Sequence, residues 1–258
     1  MALIDGLDAL RKQFSLRDIA SLIASTAMWV DRDTFHYLPV WYPDEGRRDL
    51  MYKSNWTKPQ YNKNRTTGER VHKRVGNTKA NLALTAALGH NTKSRPNWTC
   101  CHIWGVDDPG FQKPNSIVSD KRFYSCVANI VLLPTPLKAF TDAMPEIKTM
   151  LRVAASAYYG WSVEHPDIPA IEEERSICPW DSYPESWPMS PTDESPPGVV
   201  ALNIAIKTSA GRRMKRIATD LESAGAYYPR QEVINVIQYW IEVLPAFKKT
   251  ASECGIHT

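Results

Sequence analysis

Residues 166–197 contain eight prolines, a density at which neither a long helix nor a central strand is expected. The segment is also acidic, because nine Asp or Glu side chains between positions 164 and 197 stand against Arg175 alone, for a balance of −8. These patterns predict an irregular connection ahead of the C-terminal part of the chain. Trp180 and Trp187 lie inside it and indicate that the connection packs on another part of the protein.

Positive charge dominates the segment from position 46 to 95. Twelve Lys or Arg residues there face only Asp49 and Glu69, for a balance of +10, although the formal charge of the whole chain is +3. A local field of this strength is typical of a protein with a polyanionic partner. We therefore expect nucleic acid to bind this part, while the acidic connection is solvated or shapes which surfaces the polyanion approaches.

Composition narrows the class of protein. The 258 residues are 43% hydrophobic, enough for the core of one large domain or two small ones. Runs of about eighteen apolar residues are absent, and the first residues carry acids where a secretory signal would carry Lys or Arg. The five cysteines are an odd number in a chain that needs no disulfides, so we expect a cytoplasmic protein without membrane contact. No glycine-rich phosphate-binding motif occurs, so no nucleotide cofactor is expected.

Local patterns predict helices first and a basic region after them. Helices are expected over 3–14 and 16–29, the second starting with a capping box. The aromatic and β-branched residues 34–42 predict a strand. Residues 47–76 have no clear period and are expected to form a hairpin or long loop, followed by a short helix over 77–88.

The centre of the chain has the order strand, loop, strand, helix. Residues 97–104 and 123–133 are the two predicted strands, and a helix is expected from Thr135 to about Tyr159 with a break at Pro145. The C-terminal part is expected to hold a strand over 199–206 and helices over 211–223 and 230–247.

These elements predict an α+β protein with helices flanking a central strand–loop–strand–helix unit. The apolar last helix of the chain is expected either to belong to the core or to form the interface of a dimer. The predicted regions form one compact unit and are 1–96, helical and basic; 97–160, the central unit; 161–198, the acidic connection; and 199–258, the C-terminal strand and helices.

Two polar residues mark the central unit. His102 ends the first strand in Asn97-Trp-Thr-Cys-Cys-His-Ile-Trp104, and Asn129 lies in the second limb, just before the helix. This arrangement resembles the beta-beta-alpha-metal finger of HNH-type nucleases, and the resemblance extends to Tyr158. It implies such a finger at the centre of the fold.

The resemblance also implies roles for single residues. His102 would be the general base that activates water, Asn129 would orient its imidazole, and Lys138, at the last family position, would contact the scissile phosphate. A divalent metal is implied, Mg²⁺ first and Mn²⁺ second. Cys101 stands where the family usually has an acid or histidine. The implied metal ligands are Asp142, Cys101 and Asp107, with Asp108 as a competing candidate.

The basic segment adds a predicted DNA-binding surface. Lys and Arg neutralise phosphates, and aromatic side chains stack on bases. The predicted contact residues are Arg47, Arg48, Lys53, Trp56, Lys58, Tyr61, Lys63, Arg65, Arg70, Lys73 and Arg74. A second phosphate-binding cluster, or else an ordinary charged helix face, is formed by Arg212, Arg213, Lys215 and Arg216.

The chain looks most like a type II restriction endonuclease, or an HNH relative of bacterial or phage origin, that cuts double-stranded DNA as a homodimer. The alternative is a DNA- or RNA-binding protein that cuts nothing. In that case the finger is structural, held by Zn²⁺ on Cys100, Cys101, His102 and Cys126.

Overall fold

The computed structural model describes residues 5–90, 95–105 and 116–256. Within these ranges the protein mixes helices with two-stranded sheets. The helices are α1 Gly6–Arg11, α2 Leu16–Thr26, α3 Arg32–Tyr37, α4 Thr78–Ala87, α5 Ser116–Ser119, α6 Lys138–Ala143, α7 Pro145–Tyr159, α8 Ile171–Ile177, α9 Ile204–Ser223, α10 Arg230–Val243 and α11 Pro245–Glu253. The strands are β1 Trp29–Val30, β2 Tyr61–Lys63, β3 Arg70–His72, β4 Trp98–His102, β5 Ile130–Pro134 and β6 Val199–Val200.

The predicted order at the centre of the chain is confirmed. Strands β4 and β5 run antiparallel, in a register that pairs Trp98 with Pro134 and His102 with Ile130. Helix α6 follows β5 after a single 3₁₀ turn, and the chain bends at Met144 before Pro145 starts α7. Proline at this first helical position lacks only an N–H that would have had no partner in the helix.

Strands from distant parts of the sequence meet beside this unit. Trp29 and Val30 of β1 pair in parallel with Val199 and Val200 of β6. Met28, the residue before β1, exchanges backbone hydrogen bonds of 2.9 and 3.1 Å with Leu132 of β5. Backbone hydrogen bonds between strands therefore connect the N-terminal region, the central unit and the C-terminal region.

One predicted strand is wrong, and another is shorter than predicted. Residues 34–42 contain α3 instead, because the Asp31 carboxylate caps its start and the helix buries Thr34 and Phe35. The strand predicted over 199–206 stops at Val200, since Asn203 caps α9 by accepting a hydrogen bond from Ile206 N at 3.0 Å. In both segments the residue that caps a helix decides the local structure, although the β-branched or aromatic side chains favour a strand.

Other boundaries shift without changing the class. The predicted capping box of α2 is confirmed, with Ser15 and Asp18 bonding each other's backbone N–H. The predicted strand 123–133 is reduced to β5, since a 3₁₀ turn occupies Val127–Asn129. Pro245 divides the predicted last helix into α10 and α11.

The acidic connection is folded against the protein. Its proline-free stretch forms α8, and Trp187 is buried with its ring edge-to-face against Trp29 at 6.0 Å. Trp180, by contrast, is 41% exposed. The prediction that this segment packs on the remainder holds for Trp187.

One cluster of buried side chains includes members from all four predicted regions. In this cluster the ring centres of Trp161 and Trp240 lie 5.2 Å apart, and both rings contact Phe35. Val233 and Ile237 of α10 are buried here too, so the apolar face of that helix belongs to the core. All five cysteines are free thiols, and four of them are buried; Cys254 is partly exposed. None of the helices within the described ranges has the length and apolar character needed to cross a membrane.

Candidate functional site

His102 occupies the last position of β4, with only 9% of its surface exposed. Its Nε2 atom lies 2.9 Å from the backbone carbonyl of Tyr124, and its ring stacks on the Tyr124 ring. A carbonyl only accepts hydrogen bonds, so in the neutral ring the proton must sit on Nε2. The lone pair of the imidazole is thereby placed on Nδ1.

Burial sets the ionisation of this histidine. It lowers the pKa of His102 to about 4, against the opposing effect of the bond to the Tyr124 carbonyl. The cationic side chains of Lys148, Arg47 and Lys138 lower this pKa further. The imidazole is therefore neutral at pH 7, the form in which it accepts a proton, and positive charge surrounds it.

The backbone that carries His102 is held by two cations of α7. Lys148 Nζ donates to the His102 carbonyl, and Arg152 donates to the carbonyls of Ile103 at 3.3 Å and Gly105 at 2.9 Å. Arg152 also pairs with the buried Glu174 at 2.6 Å. Sequence analysis did not identify Lys148 or Arg152. Their signal is two cations one helical turn apart on an otherwise apolar helix.

Asn129 makes contacts other than the predicted one. Its Oδ1 accepts from the Trp104 backbone N–H at 2.7 Å, and its Nδ2 donates to the Phe123 carbonyl at 3.0 Å. Its side chain therefore joins the segments after β4 and before β5, and it is fully buried. The group that orients the imidazole is the Tyr124 carbonyl, so the role expected for Asn129 is corrected.

Lys138 lies at the start of α6, which packs on β4. Thr141 Oγ1 donates to the Lys138 carbonyl at 2.8 Å and lies 3.2 Å from the Cys101 sulfur. This contact places the first turn of α6 next to the residue before His102. The Lys138 ammonium forms an ion pair with Asp142, and both side chains are partly exposed.

Two of the three implied metal ligands, Asp142 and Cys101, have other partners in the structure. Asp142 is engaged by the Lys138 ammonium, and the Cys101 thiol is buried against Thr141. Thiolate is in addition a soft ligand, unsuited to Mg²⁺. Asp107 and Asp108 lie outside the described residues. Across 5–90, 95–105 and 116–256, no three His, Cys, Asp or Glu side chains are grouped to hold a metal ion.

The zinc alternative fails on strand geometry. Cys100 and Cys101 are successive residues of β4, and successive side chains of a strand point to opposite faces. The two sulfurs therefore cannot bind one ion without a change in the strand. No site for Mg²⁺ or Zn²⁺ is therefore assembled from the described side chains.

The basic segment forms the predicted hairpin. Strands β2 and β3 pair antiparallel, with Tyr61 opposite His72 and Lys63 opposite Arg70. Most of the predicted contact residues are exposed there and around its base, namely Arg48, Lys53, Lys58, Tyr61, Lys63, Arg65, Arg70 and Arg74. The half-buried members are Arg47, Trp56 and Lys73.

Trp56 is half-buried and packs on other aromatic side chains of the protein. Its ring lies 5.2 Å from Tyr52 and 5.3 Å, edge-to-face, from Tyr228. The backbone beside it is fixed as well, since Gly225 N donates to the Asn55 carbonyl at 2.7 Å. A Cβ on Gly225 would lie 2.5 Å from the Asn55 and Trp56 carbonyl oxygens, so the two loops meet only because that residue is glycine.

The second basic cluster is divided by its partners. Arg213 pairs with the buried Asp44 at 2.7 Å and lies over the Tyr42 ring. Arg216 pairs with Asp220 at 2.9 Å. Arg212 and Lys215 are exposed. Half of this cluster is thus engaged in holding α9 to its surroundings or in pairing along the helix itself.

Comparisons of the chain with protein-family models, with curated proteins and with solved structures found no match.

Proposed function

We propose that this protein is an HNH-type endonuclease that hydrolyses phosphodiester bonds of double-stranded DNA, with His102 as the general base. The observation that carries the proposal is the imidazole at the end of β4. It is neutral at pH 7, its proton is held on Nε2 by the Tyr124 carbonyl, and cations surround it. A neutral imidazole has a lone pair that can accept a proton, and the positive charges near it would stabilise the negative charge that accumulates on an attacked diester.

The proposed reaction needs one proton transfer to the enzyme. His102 Nδ1 removes a proton from water while the water oxygen forms a bond to phosphorus. The bond from phosphorus to the leaving sugar oxygen breaks, and that oxygen takes a proton from solvent. Arg47 and Lys138 supply positive charge near the attacked phosphate, where negative charge accumulates. No step is assigned to a metal, because the described side chains do not fit one.

Two features of the whole enzyme belong to the same proposal. We propose that two copies act together, one on each strand, and that cleavage is confined to specific sequences, as in type II restriction enzymes. Sedimentation with and without DNA tests the first. Discrete fragments, as opposed to a smear, test the second.

The test of hydrolysis is plasmid cleavage by wild type, His102→Gln and His90→Gln, each in Mg²⁺, in Mn²⁺ and in chelator. Glutamine at position 102 retains a donor for the Tyr124 carbonyl but no base. His90 is exposed and serves as the matched control. We expect fragments from wild type and His90→Gln and none from His102→Gln, whose circular dichroism should remain native.

Intact plasmid with wild-type protein under all three conditions would contradict the hydrolysis proposal. It would favour a nucleic-acid-binding protein that cuts nothing. One observation favours this second candidate: the Cys101–Thr141 contact and the Lys138–Asp142 pair engage the groups that a metal would need. A gel shift of the uncut plasmid would support it.

A further inference from the structure

We propose that the β2–β3 hairpin is a ribbon that enters the major groove of B-form DNA and contacts it through the face formed by Tyr61, Lys63, Arg70 and His72. This inference rests on the DNA-binding part of the proposed function and is independent of hydrolysis. We call this element the ribbon; it comprises β2, β3 and the turn between them.

The ribbon contributes little to the core. All three residues of β2 and all three of β3 are exposed, including Tyr61 at 39% and Val71 at 41%. A two-stranded hairpin that buries no apolar face has marginal stability by itself. Its side chains are therefore available for contact with a partner.

One face of the ribbon is cationic and aromatic. Residues opposite each other in an antiparallel pair share a face, so the Tyr61–His72 and Lys63–Arg70 pairs lie together and the Asn62–Val71 pair lies on the other side. The Arg70 guanidinium lies 3.7 Å from the centre of the Tyr61 ring, and the His72 ring lies 4.5 Å from it. These contacts fix side chains that would otherwise lose rotamer freedom on binding.

The cations of the ribbon have no acidic partners within the described ranges. Among the residues that the structure describes, no ion pair within 4.0 Å involves Lys63, Arg65 or Arg70. Glu69, the acid of this segment, instead contacts the Thr67 hydroxyl. Uncompensated positive charge on both strands and at the turn is complementary to two rows of phosphates.

The tip of the ribbon has a defined shape. The Asn64 side chain accepts from the backbone N–H of Thr66 at 2.9 Å and of Thr67 at 3.2 Å. Gly68 adopts a left-handed φ of +73°, and Asn64 N donates to the Glu69 carbonyl at 2.8 Å. The turn that carries Arg65 is thus ordered by local hydrogen bonds before any partner arrives.

The base of the ribbon is attached rigidly. Met51 N donates to the Lys73 carbonyl at 2.9 Å, and Gln60 N donates to the Met51 carbonyl at 2.7 Å. Tyr52 next to them stacks on Tyr227 at 5.1 Å, which belongs to the connection between α9 and α10. The ribbon therefore projects from a fixed base and is not a loose loop.

The shape of the ribbon selects the nucleic acid. The major groove of B-form DNA is about 12 Å wide and admits a two-stranded β-ribbon. The major groove of duplex RNA is too narrow and deep for side chains to read. Duplex DNA is therefore the partner that this element fits.

The experiment measures fluorescence anisotropy with a labelled mixed-sequence DNA duplex and with the RNA duplex of the same sequence. All proteins carry His102→Gln, so that no cleavage occurs during the measurement. The test variant is Lys63→Ala/Arg65→Ala/Arg70→Ala. The matched control is Lys207→Ala/Lys248→Ala/Lys249→Ala, which removes the same charge from exposed sites outside the ribbon.

We expect the ribbon variant to bind the DNA duplex at least about tenfold more weakly, with the salt slope reduced by about 2 to 3 as three phosphate contacts are lost. The control variant should bind within about threefold of its parent. Duplex RNA should bind the parent at least about tenfold more weakly than DNA. Native circular dichroism of both variants checks the fold.

Equal weakening by both triple variants would show general attraction by net charge and would overturn the proposal. Equal affinity for duplex RNA would overturn the groove assignment. These results are separable from hydrolysis. If the protein never cuts DNA but the ribbon variant alone loses binding, the ribbon proposal stands and the endonuclease proposal fails; if a ribbon variant with His102 intact cuts and binds as wild type does, the reverse holds.

Discussion

His102 is largely buried, with 9% of its surface exposed, on a strand end whose carbonyls are bound by two buried cations, Lys148 and Arg152. This environment keeps the ring neutral at pH 7 and also fixes which nitrogen carries the hydrogen. The same two properties that suit a general base would also suit a structural histidine. The experiments that separate these roles therefore measure both ionisation and cleavage.

The ionisation of His102 predicts a pH dependence of stability. Its native pKa of about 4 lies below the value near 6.5 of an unfolded histidine, so the unfolded state takes up the proton first as the pH falls. The contribution of His102 to the free energy of unfolding should fall between pH 6.5 and pH 4, by on the order of 3 kcal/mol, and then level off. His102→Gln removes this contribution.

Urea unfolding of wild type and His102→Gln at several pH values across this window checks the prediction. The pKa of His36 is also lowered by burial, but this residue is present in both proteins, so its effect cancels in their difference. A stability difference that stays constant with pH would mean that His102 ionises like an exposed histidine.

Asn129 predicts a loss of stability without a change in ionisation. Asn129→Ala leaves the buried Trp104 N–H without its 2.7 Å acceptor and removes one of the bonds to the Phe123 carbonyl. We expect a cost of about 3 kcal/mol in urea unfolding. Asn62→Ala, on the exposed face of β2, should change stability by less than about 0.5 kcal/mol. Equal effects of the two substitutions would contradict the contacts described.

The sequence located these residues but not their contacts. The position of His102 at the end of a strand was predictable from the strand pattern, whereas Asn129, predicted inside the second strand, lies in the 3₁₀ turn before β5. Their hydrogen-bond partners were not predictable, because Tyr124 O, Trp104 N and Phe123 O reach the site only through the irregular path between the strands. The packing of Trp56 was not predictable for a related reason, since its partner Tyr228 is far away in the sequence.

At the scale of elements, the central strand–strand–helix order and the hairpin were predictable. Of two other predicted strands, one is a helix in the structure and the other is shorter than expected. Residues 34–42 and 199–206 have β-type composition, yet Asp31 and Asn203 cap helices at those places. A cap satisfies backbone donors that composition does not register. Burial of Phe35 against Trp161 then stabilises α3 in a way that local propensity cannot indicate.

The contacts of Arg152 on α7 predict a large loss of stability when this residue is replaced. Arg152→Met leaves the Glu174 carboxylate buried without its 2.6 Å partner and leaves the carbonyls after β4 without this donor. We expect a cost of about 3 to 5 kcal/mol, partly recovered in Arg152→Met/Glu174→Gln. Arg11→Met breaks the exposed pair with Glu146 and should cost less than about 1 kcal/mol. Chemical denaturation compares them, and similar losses for Arg152→Met and Arg11→Met would contradict the role of α7.

At the scale of the molecule, the pairing of β1 with β6 joins the N-terminal and C-terminal regions. It depends on Gly198, whose φ of +78° favours glycine and at which a Cβ would lie 2.1 Å from the Ala27 carbonyl oxygen. No local pattern predicts this pairing, because its two strands are two residues long and far apart in sequence.

Two glycine-to-alanine substitutions test the importance of the β1–β6 pairing. Gly198→Ala should destabilise the whole protein by more than about 3 kcal/mol, with tryptophan fluorescence and circular dichroism still changing together. Gly211→Ala, inside α9 with no atom near its added Cβ, should stabilise by about 0.5 to 1 kcal/mol. Separate transitions for the two probes in Gly198→Ala would mean that the regions unfold independently.

The burial of the thiols has a practical consequence for work on the native protein. Thiolate is the form that reacts with alkylating reagents, and burial raises the pKa of Cys126 to about 12 and of Cys178 to about 11. Cys254 is the thiol that retains access to solvent. A maleimide dye should therefore attach once per native chain, near the C-terminus, and so give a stoichiometric fluorescent label without any cysteine being removed.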